Sequence, residues 1–433
     1  MKYLILIFFL LTTSQTRRTH LSFSSEEQEQ FSIHIGQAVD QFLADKELQK
    51  IFPIDDFFYS STRFWFLIYT YFDDKKLVIH DRSNLNLIYH IQDFSSLDSK
   101  NVHPYAQSFI QDKLIRNKMQ TLKENLLLLA QDPLPKNSEL SSLYNLVLQS
   151  GVVVGTTAQE QKQAFTNLAK NLRTQRGLKN HIEAGLTRYN LYSHFLDQYF
   201  MDHQLPKELV AISFLESSFN PYAHSKSRAA GVWQFMPFLQ RSFFPDHKKI
   251  DYRLNIGISS IAAAKLLKEN YKILRHWDLA VTAYNSGIKH ILTEKRANPT
   301  LDLEHLIKKS GHSSFGFASK NFYAEFLALT RVLKHREKLF PIIDDIEPFE
   351  SLNFYFTKCD INLNKGFSPQ QREQLRSVNH QIKKLKILPK GTLITTDADL
   401  SPVFYQKISW NDLLKKKPKE WMNPKKRYNC STR

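Results

Sequence analysis

Apolar positions fall into distinct regimes along the chain. From about 106 to 200 they recur every three or four residues, which predicts helices over Ala106–Gln131, Ser138–Gln149, Gln159–Leu172 and His181–Phe200. Short polar loops such as Pro133-Leu134-Pro135 and 151–157 join them. Upstream, Phe31, Ile33, Ile35, Ala38, Val39, Phe42 and Leu43 give an amphipathic helix within 23–48. The aromatic run Arg63–Phe72, the polar Asp73–Lys76 and then Leu77–His80 predict two strands and a turn, with Leu85–Ile91 as a third strand. That run is either a sugar-stacking face or a buried sheet. Downstream, Pro206 suits a first helical position, and Leu209, Val210, Ile212, Phe214 and Leu215 form an apolar band too wide for a surface helix, so this helix is expected to be buried. Residues 340–356 hold two prolines and little periodicity, which reads as a linker.

The buried helix ends on Glu216, followed by Ser217, Ser218 and Asn220-Pro221, where proline forbids continuation. Either Glu216 sits at a wet, frayed helix end, or it is desolvated, which raises a carboxyl's pKa toward the range a general acid needs. Gly231 then precedes Val-Trp-Gln-Phe-Met-Pro, in which Gln234 is a lone amide between Trp233 and Phe235, with Met236 beside them. An amide amid aromatic and thioether groups suits a sugar, whose hydroxyl and acetamido groups need directional partners while its faces pack on apolar surface. The plainer alternative is a core helix start with Gln234 in solvent. Another helix, His276–Ala283, runs into Tyr284-Asn285-Ser286 and stops at Gly287. Tyr284 and Asn285 either aim into a cleft or cap the helix.

Taken together, Glu216-Ser217, Gly231-Val-Trp-Gln-Phe-Met-Pro237 and Ala283-Tyr-Asn-Ser-Gly287 resemble, in order and spacing, the three signature motifs of the lytic transglycosylase family with a goose-type lysozyme fold. Phe322-Tyr323 resembles its fourth motif, a tyrosine on a later helix, and Asp251-Tyr252-Arg253 resembles the lead-in to its long central helix. The similarity covers about 189–334 and is greatest to a membrane-bound, murein-cleaving subgroup. It implies a mainly α fold: a lysozyme-like helical catalytic domain, a helical lead-in, a small N-terminal α+β segment and a small C-terminal region. It also implies cleavage of the bond between N-acetylmuramic acid and N-acetylglucosamine in peptidoglycan, leaving 1,6-anhydro ends. Glu216 would act as acid and then base, Ser217 would orient it or donate to substrate, and Gln234 and Asn285 would bind acetamido groups. Met236, Tyr284 and Tyr323 would shape the cleft. No cofactor or metal is implied. Two departures stand out: the insert 222–230 carries His224, Lys226 and Arg228, and 240–249 carries Phe243-Phe244-Pro245. Most glycosidases divide the chemistry between two acids. Asp246, Asp251 and Asp278 are near in sequence, but each serves equally as a cap or an ion-pair member. A lysozyme-like hydrolase and a non-catalytic wall-binding protein are the alternatives.

A length of 433 residues calls for two to four domains, and a net charge of +17 calls for an anionic partner. The apolar run Tyr3–Leu11 has the length of a signal-peptide core, with a cut expected near 13–15, so an exported protein of the periplasm or cell envelope is predicted. That setting favours the wall, with peripheral membrane association open, over nucleic acid, for which no binding signature is present. Boundaries follow as 1–15 signal, 16–104 α+β segment, 105–198 lead-in, 199–339 catalytic domain and 340–433 linker with basic C-terminal region. Within the last, Ser368–Thr396 resembles a degenerate LysM-like module of that subgroup. The two cysteines, Cys359 and Cys430, are either bridged or unrelated. Sixteen histidines lack ligand spacing.

Overall fold

The computed structural model describes residues 36–98, 103–245, 249–310, 315–341, 347–402 and 404–415. The expected signal segment, Asp246 and Cys430 lie outside them, and of the amphipathic helix expected within 23–48 only a helix over residues 36–43 is described. The chain divides into two compact units, one centred on 78–175 and the other built from 39–77 with the chain from 176 onward. No helix among the described residues is long and apolar enough to cross a membrane.

Helix α1 (Asp56–Thr70) starts at Asp55, whose carboxylate accepts the Phe58 amide at 2.9 Å. It occupies the run predicted as a strand. Every residue from Thr62 to Tyr69 is buried, so over this stretch the helix shows no polar face and its aromatic run reads as a strand. The following strands are as expected in kind: β1 (Lys76–Asp81) and β2 (Ile88–Asp93). The first unit then continues with α2 (Pro104–Gln131), α3 (Ser138–Gln149) and α4 (Ala158–Asn171), all close to the predicted bounds. Strand β3 (Leu172–Arg176), which the sequence pattern did not suggest, completes a sheet of order β2-β1-β3. Leu126, Leu129, Val147 and Phe165 form part of this unit's core.

In the second unit the predicted 181–200 helix is broken into α5 (Lys179–Asn190) and α6 (Ser193–Asp202), with the Tyr192 amide bonded back to the Tyr189 carbonyl between them. A 3-10 turn (Lys207–Val210) feeds α7 (Ala211–Ser217), with Pro206 just before the turn rather than inside it. The long α8 (Ile256–Leu274), then α9 (Trp277–Ser286), α10 (Ile288–Ala297), α11 (Leu303–Lys309) and α12 (Phe317–Lys334) complete the helical body. Nine consecutive residues at the start of α8, Ile256 to Ala264, and eight in α12, Phe326 to Leu333, are buried, as central helices require. Helix α1 runs beside α12, where Trp65 Nε1 donates to Asn321 Oδ1 at 3.3 Å and, one turn on in both helices, Tyr69 donates to Glu325 Oε2 at 2.8 Å.

The end of the expected linker is a strand, β4 (Asn353–Thr357), because its aromatic side chains are buried on both faces. It is the centre of an antiparallel sheet, flanked by β7 (Leu393–Thr396) and β8 (Tyr405–Ile408). Between them come β5 (Ile361–Asn362), α13 (Pro369–Val378) and β6 (Ile387–Leu388), so the expected helix and strand of the 368–396 stretch are both present. Tyr355, Leu363, Leu375, Ile382, Leu388 and Ile394 form this module's core, and Cys359 within it is disulfide-bonded. The module is fastened to the start of α8. Asn255, the α8 N-cap, accepts the Ile258 amide at 2.9 Å and turns its amide donors toward Asn379 Oδ1, Gln381 Oε1 and Thr395 Oγ1 at 3.0 to 3.2 Å, all buried. The Leu393 amide donates to the Tyr252 hydroxyl at 3.0 Å.

Asn255→Asp tests this junction. Aspartate caps a helix as well as asparagine does but presents only acceptors to three buried acceptors, so stability should fall by about 2–4 kcal/mol in denaturant unfolding. A near-neutral result would mean that the cap alone matters.

Candidate active site

The site begins with the way α7 ends. Residues Leu209 to Phe214 are buried, Leu215 is partly exposed, and Glu216 keeps part of its surface open at the last turn. Ser218 and Phe219 then both adopt the left-handed conformation, at φ 50° and 54°, which costs a residue with a Cβ about 1–2 kcal/mol. The turn is fixed by its surroundings. The Ser218 and Phe219 amides bond back to the Phe214 and Ser213 carbonyls. Arg188 donates from Nη2 to the Ser218 carbonyl at 2.8 Å and from Nε to the Phe219 carbonyl at 2.9 Å. Gly185 is required beneath it, since a Cβ there would stand 2.5 Å from the Ser218 carbonyl oxygen.

Ser217 links this helix end to the next motif. Its hydroxyl bonds to the Val232 carbonyl at 2.9 Å and accepts the Asn220 amide at 3.0 Å. The 231–236 loop turns at Gly231, φ 79°, where a Cβ would lie 1.9 Å from the Arg253 carbonyl oxygen. Gln234 is left-handed at φ 47°. Its amide nitrogen is spent on the Gly231 and Ala223 carbonyls at 2.8 and 3.2 Å, which leaves the carbonyl end of a partly exposed side chain for a ligand. Trp233 is fully buried, bonded to Ser260 at 2.8 Å and stacked on Phe200. Asp251-Tyr252-Arg253 forms the clamp beneath. Arg253 pairs with both Asp251 oxygens and donates to the Arg228 and Phe235 carbonyls at 2.8 and 2.9 Å. Phe243 and Phe244, one of the two departures, pack behind Phe235. The other, His224 to Arg228, is an exposed basic turn.

Tyr284 donates to the Trp233 carbonyl at 2.8 Å, and its phenol is pushed well above its usual range by burial and then by the charge of Glu216. Asn285 is exposed and accepts from Ser319 at 2.8 Å. Met236 is partly exposed at the start of a short 3-10 turn. The structure therefore gathers Glu216, Ser217, Gln234, Met236 and Tyr284 on the connected elements α7, the 231–236 loop and α9, with Asn285 at the end of α9. Tyr323 is placed otherwise. It is 5% exposed, stacked on Phe326 with Phe58 at its edge, and the charges it senses are Asp278, Arg331 and Asp55.

Glu216 makes no hydrogen bond to another described residue, and its pKa is raised to about 8, first by burial and then by Glu325. Glu325 is the second carboxylate that the sequence did not identify. It is partly exposed on otherwise buried α12 and is gripped by the buried Tyr69 hydroxyl. The acids considered earlier do other work: Asp251 pairs with Arg253, and Asp278 accepts its neighbour's amide at the α9 start.

With this geometry established, residues 198–307 match the sequence profile described as "Transglycosylase SLT domain". The chain carries a transglycosylase SLT domain. It is similar to proteins named membrane-bound lytic murein transglycosylase D in Escherichia coli strain K12 and strain O6:H1, in each case 28% identical over 197 residues, or 44% of this chain and 40% of the relative. The chain thus matches about 40% of the length of these curated relatives. Glu216, Gln234 and Asn285 fall inside the SLT match, whereas Tyr69 and Glu325 fall outside it.

Two consequences follow for Glu216. Because its folded pKa of about 8 exceeds the unfolded value near 4.5, the unfolded state sheds its proton first as pH rises, and stability contributed at this position is lost between those two values. Glu216→Gln should therefore match the wild type in thermal stability at pH 4 and exceed it at pH 8 by on the order of 1–3 kcal/mol, allowing for the partial exposure. Replacing Glu325 with Gln removes a neighbouring negative charge and should move the Glu216 titration down by about one pH unit or less, as read by carboxyl-resolved NMR.

Proposed function

We propose that the SLT domain is a peptidoglycan lytic transglycosylase and that Glu216 is its acid and base. The observation that carries the reading is the place of Glu216 at the open end of α7, where burial raises its proton affinity, beside a loop whose Gln234 spends its amide nitrogen on backbone carbonyls and turns its carbonyl end outward. A protonated Glu216 donates to the glycosidic oxygen as the bond between N-acetylmuramic acid and N-acetylglucosamine breaks. The carboxylate left behind then takes the proton of the sugar's C6 hydroxyl, which closes onto C1 and gives a 1,6-anhydro end without consuming water. Substrate-assisted routes of this kind, in which the sugar's own acetamido group steadies the cationic centre, are known exceptions to the two-carboxylate scheme.

The supporting residues divide the work. Ser217 holds the Glu216 turn against the loop, Gln234 offers its carbonyl to an acetamido N–H, and Asn285 offers its amide at the rim. Tyr284 braces the loop beneath Glu216 through the Trp233 carbonyl. Envelope localisation accords with such a substrate and with the membrane-bound relatives. The Glu325 carboxylate favours one second reading, a hydrolase in which it activates water, and the products of the two routes differ.

Purified chain incubated with sacculi should release muropeptides ending in 1,6-anhydro groups, detected by mass spectrometry. Glu216→Gln should lower the rate by about a hundredfold to ten-thousandfold. Reducing ends in place of anhydro ends would transfer the assignment to the hydrolase, and a folded Glu216→Gln with most of its rate would sink the role of Glu216.

A further inference from the structure

The C-terminal module and the insert after Glu216 border an open cavity of about 650 Å³. Its walls include Tyr222 from the insert and Arg372, Glu373, Arg376, His380 and Lys383 from α13 and the turn after it. Three cations against one carboxylate leave it net positive, with His380 neutral because burial and Lys383 push its pKa down to about 4. Lys383 is already poised over Tyr222, with Nζ 3.1 Å from the hydroxyl and 4.7 Å from the ring centroid, and His380 meets the same ring at 4.8 Å. The scaffold holding these groups is fixed. Arg372 donates to the Phe367 carbonyl at 2.8 Å and Arg376 to the Leu385 carbonyl at 3.0 Å. Yet Arg376 Nε and His380 Nδ1 are buried without a hydrogen-bond partner in the protein. Buried nitrogens of this kind are uncommon in a folded chain, and an arginine with spare donors beside a lysine suits a carboxylate.

We propose that this cavity binds a carboxylate of an acidic peptide, and specifically of the peptide attached to the glycan strand; this rests on the peptidoglycan reading above. Tyr222 lies six residues after Glu216, so the cavity edge is within about 20 Å of the carboxyl's own residue along the chain. A strand threading past Glu216 brings its side peptides within reach. The pocket thereby selects strands that still carry acidic peptides and holds them in register for cleavage.

The test uses the full chain in the Glu216→Gln background, so that binding is read without turnover, and compares binding to intact sacculi, by co-sedimentation, with binding to the peptide-free glycan strands that an amidase releases from them, by retention on immobilised strands. Lys383→Gln, at an exposed position, and Arg376→Gln should each weaken binding to intact sacculi roughly threefold to tenfold and leave binding to the stripped glycan unchanged. Circular dichroism confirms folding of both, and Lys383→Gln alone suffices if Arg376→Gln unfolds. Equal loss on both substrates, or no loss on either, overturns the pocket while leaving the function reading in place. If the chain binds neither substrate and the Glu216 form cleaves neither, the pocket and the peptidoglycan reading fall together.

Discussion

The site depends on a helix end that the chain would not adopt unaided. Ser218 and Phe219 are consecutive left-handed residues with side chains, and Phe219 is a fully buried aromatic. Their conformations together cost about 2–4 kcal/mol in isolation. Three features offset that cost: the guanidinium of Arg188 on both carbonyls, the missing Cβ of Gly185, and the aromatic cage of Tyr189, Tyr192 and Phe214 around Phe219. Two charge-assisted hydrogen bonds and a buried ring are of sufficient size to hold it. The reversal is what allows Ser217 to reach the Val232 carbonyl, and so brings the 231–236 loop beside Glu216.

Once the helix end is fixed, proton affinity follows from where the carboxyl lies. Burial is the larger influence on Glu216 and Glu325 the smaller, the order expected where water is displaced by apolar helix and loop while the second charge keeps some solvent access. The Tyr69 hydrogen bond orients Glu325. The two carboxyls thus have unlike environments, one without hydrogen-bond donors and one supplied with a phenol. This is the condition that separates an acid from a charged neighbour.

Much of this was legible in the sequence, and the misses have physical causes. Helices α3 and α4 and the last turns of α2 each bury one face, so their periodicity reported them. Helix α1 is buried on every side from Thr62 to Tyr69, and its aromatic run there imitated a strand. The residues of the three motifs were legible because each is local: a helix end, a glycine turn and a glycine stop. Glu325 was not, because its meeting with Glu216 and Tyr69 joins three helices distant in sequence, and nothing in NFYAEFLAL marks it. The anchoring of the C-terminal module was hidden for the same reason. Asn255, Asn379, Gln381 and Thr395 are ordinary polar residues until folding buries them together.

That buried network has a consequence for the cleft, because the same five-residue stretch serves both. Asp251 and Arg253 hold the Phe235 carbonyl and hence the loop bearing Gln234, while Tyr252 and Asn255 hold the C-terminal module. Residues 251–255 form a short turn running straight into α8, with the Asn255 amide bonded to the Tyr252 carbonyl and the Leu254 amide to that of Asp251. A turn this tightly bonded transmits displacement poorly at one residue alone. The module's attachments at Tyr252 and Asn255 thus flank Arg253, which holds the Phe235 carbonyl. The module's anchor and the loop bearing Gln234 thus rest on the same five residues, whether or not the module itself touches a glycan.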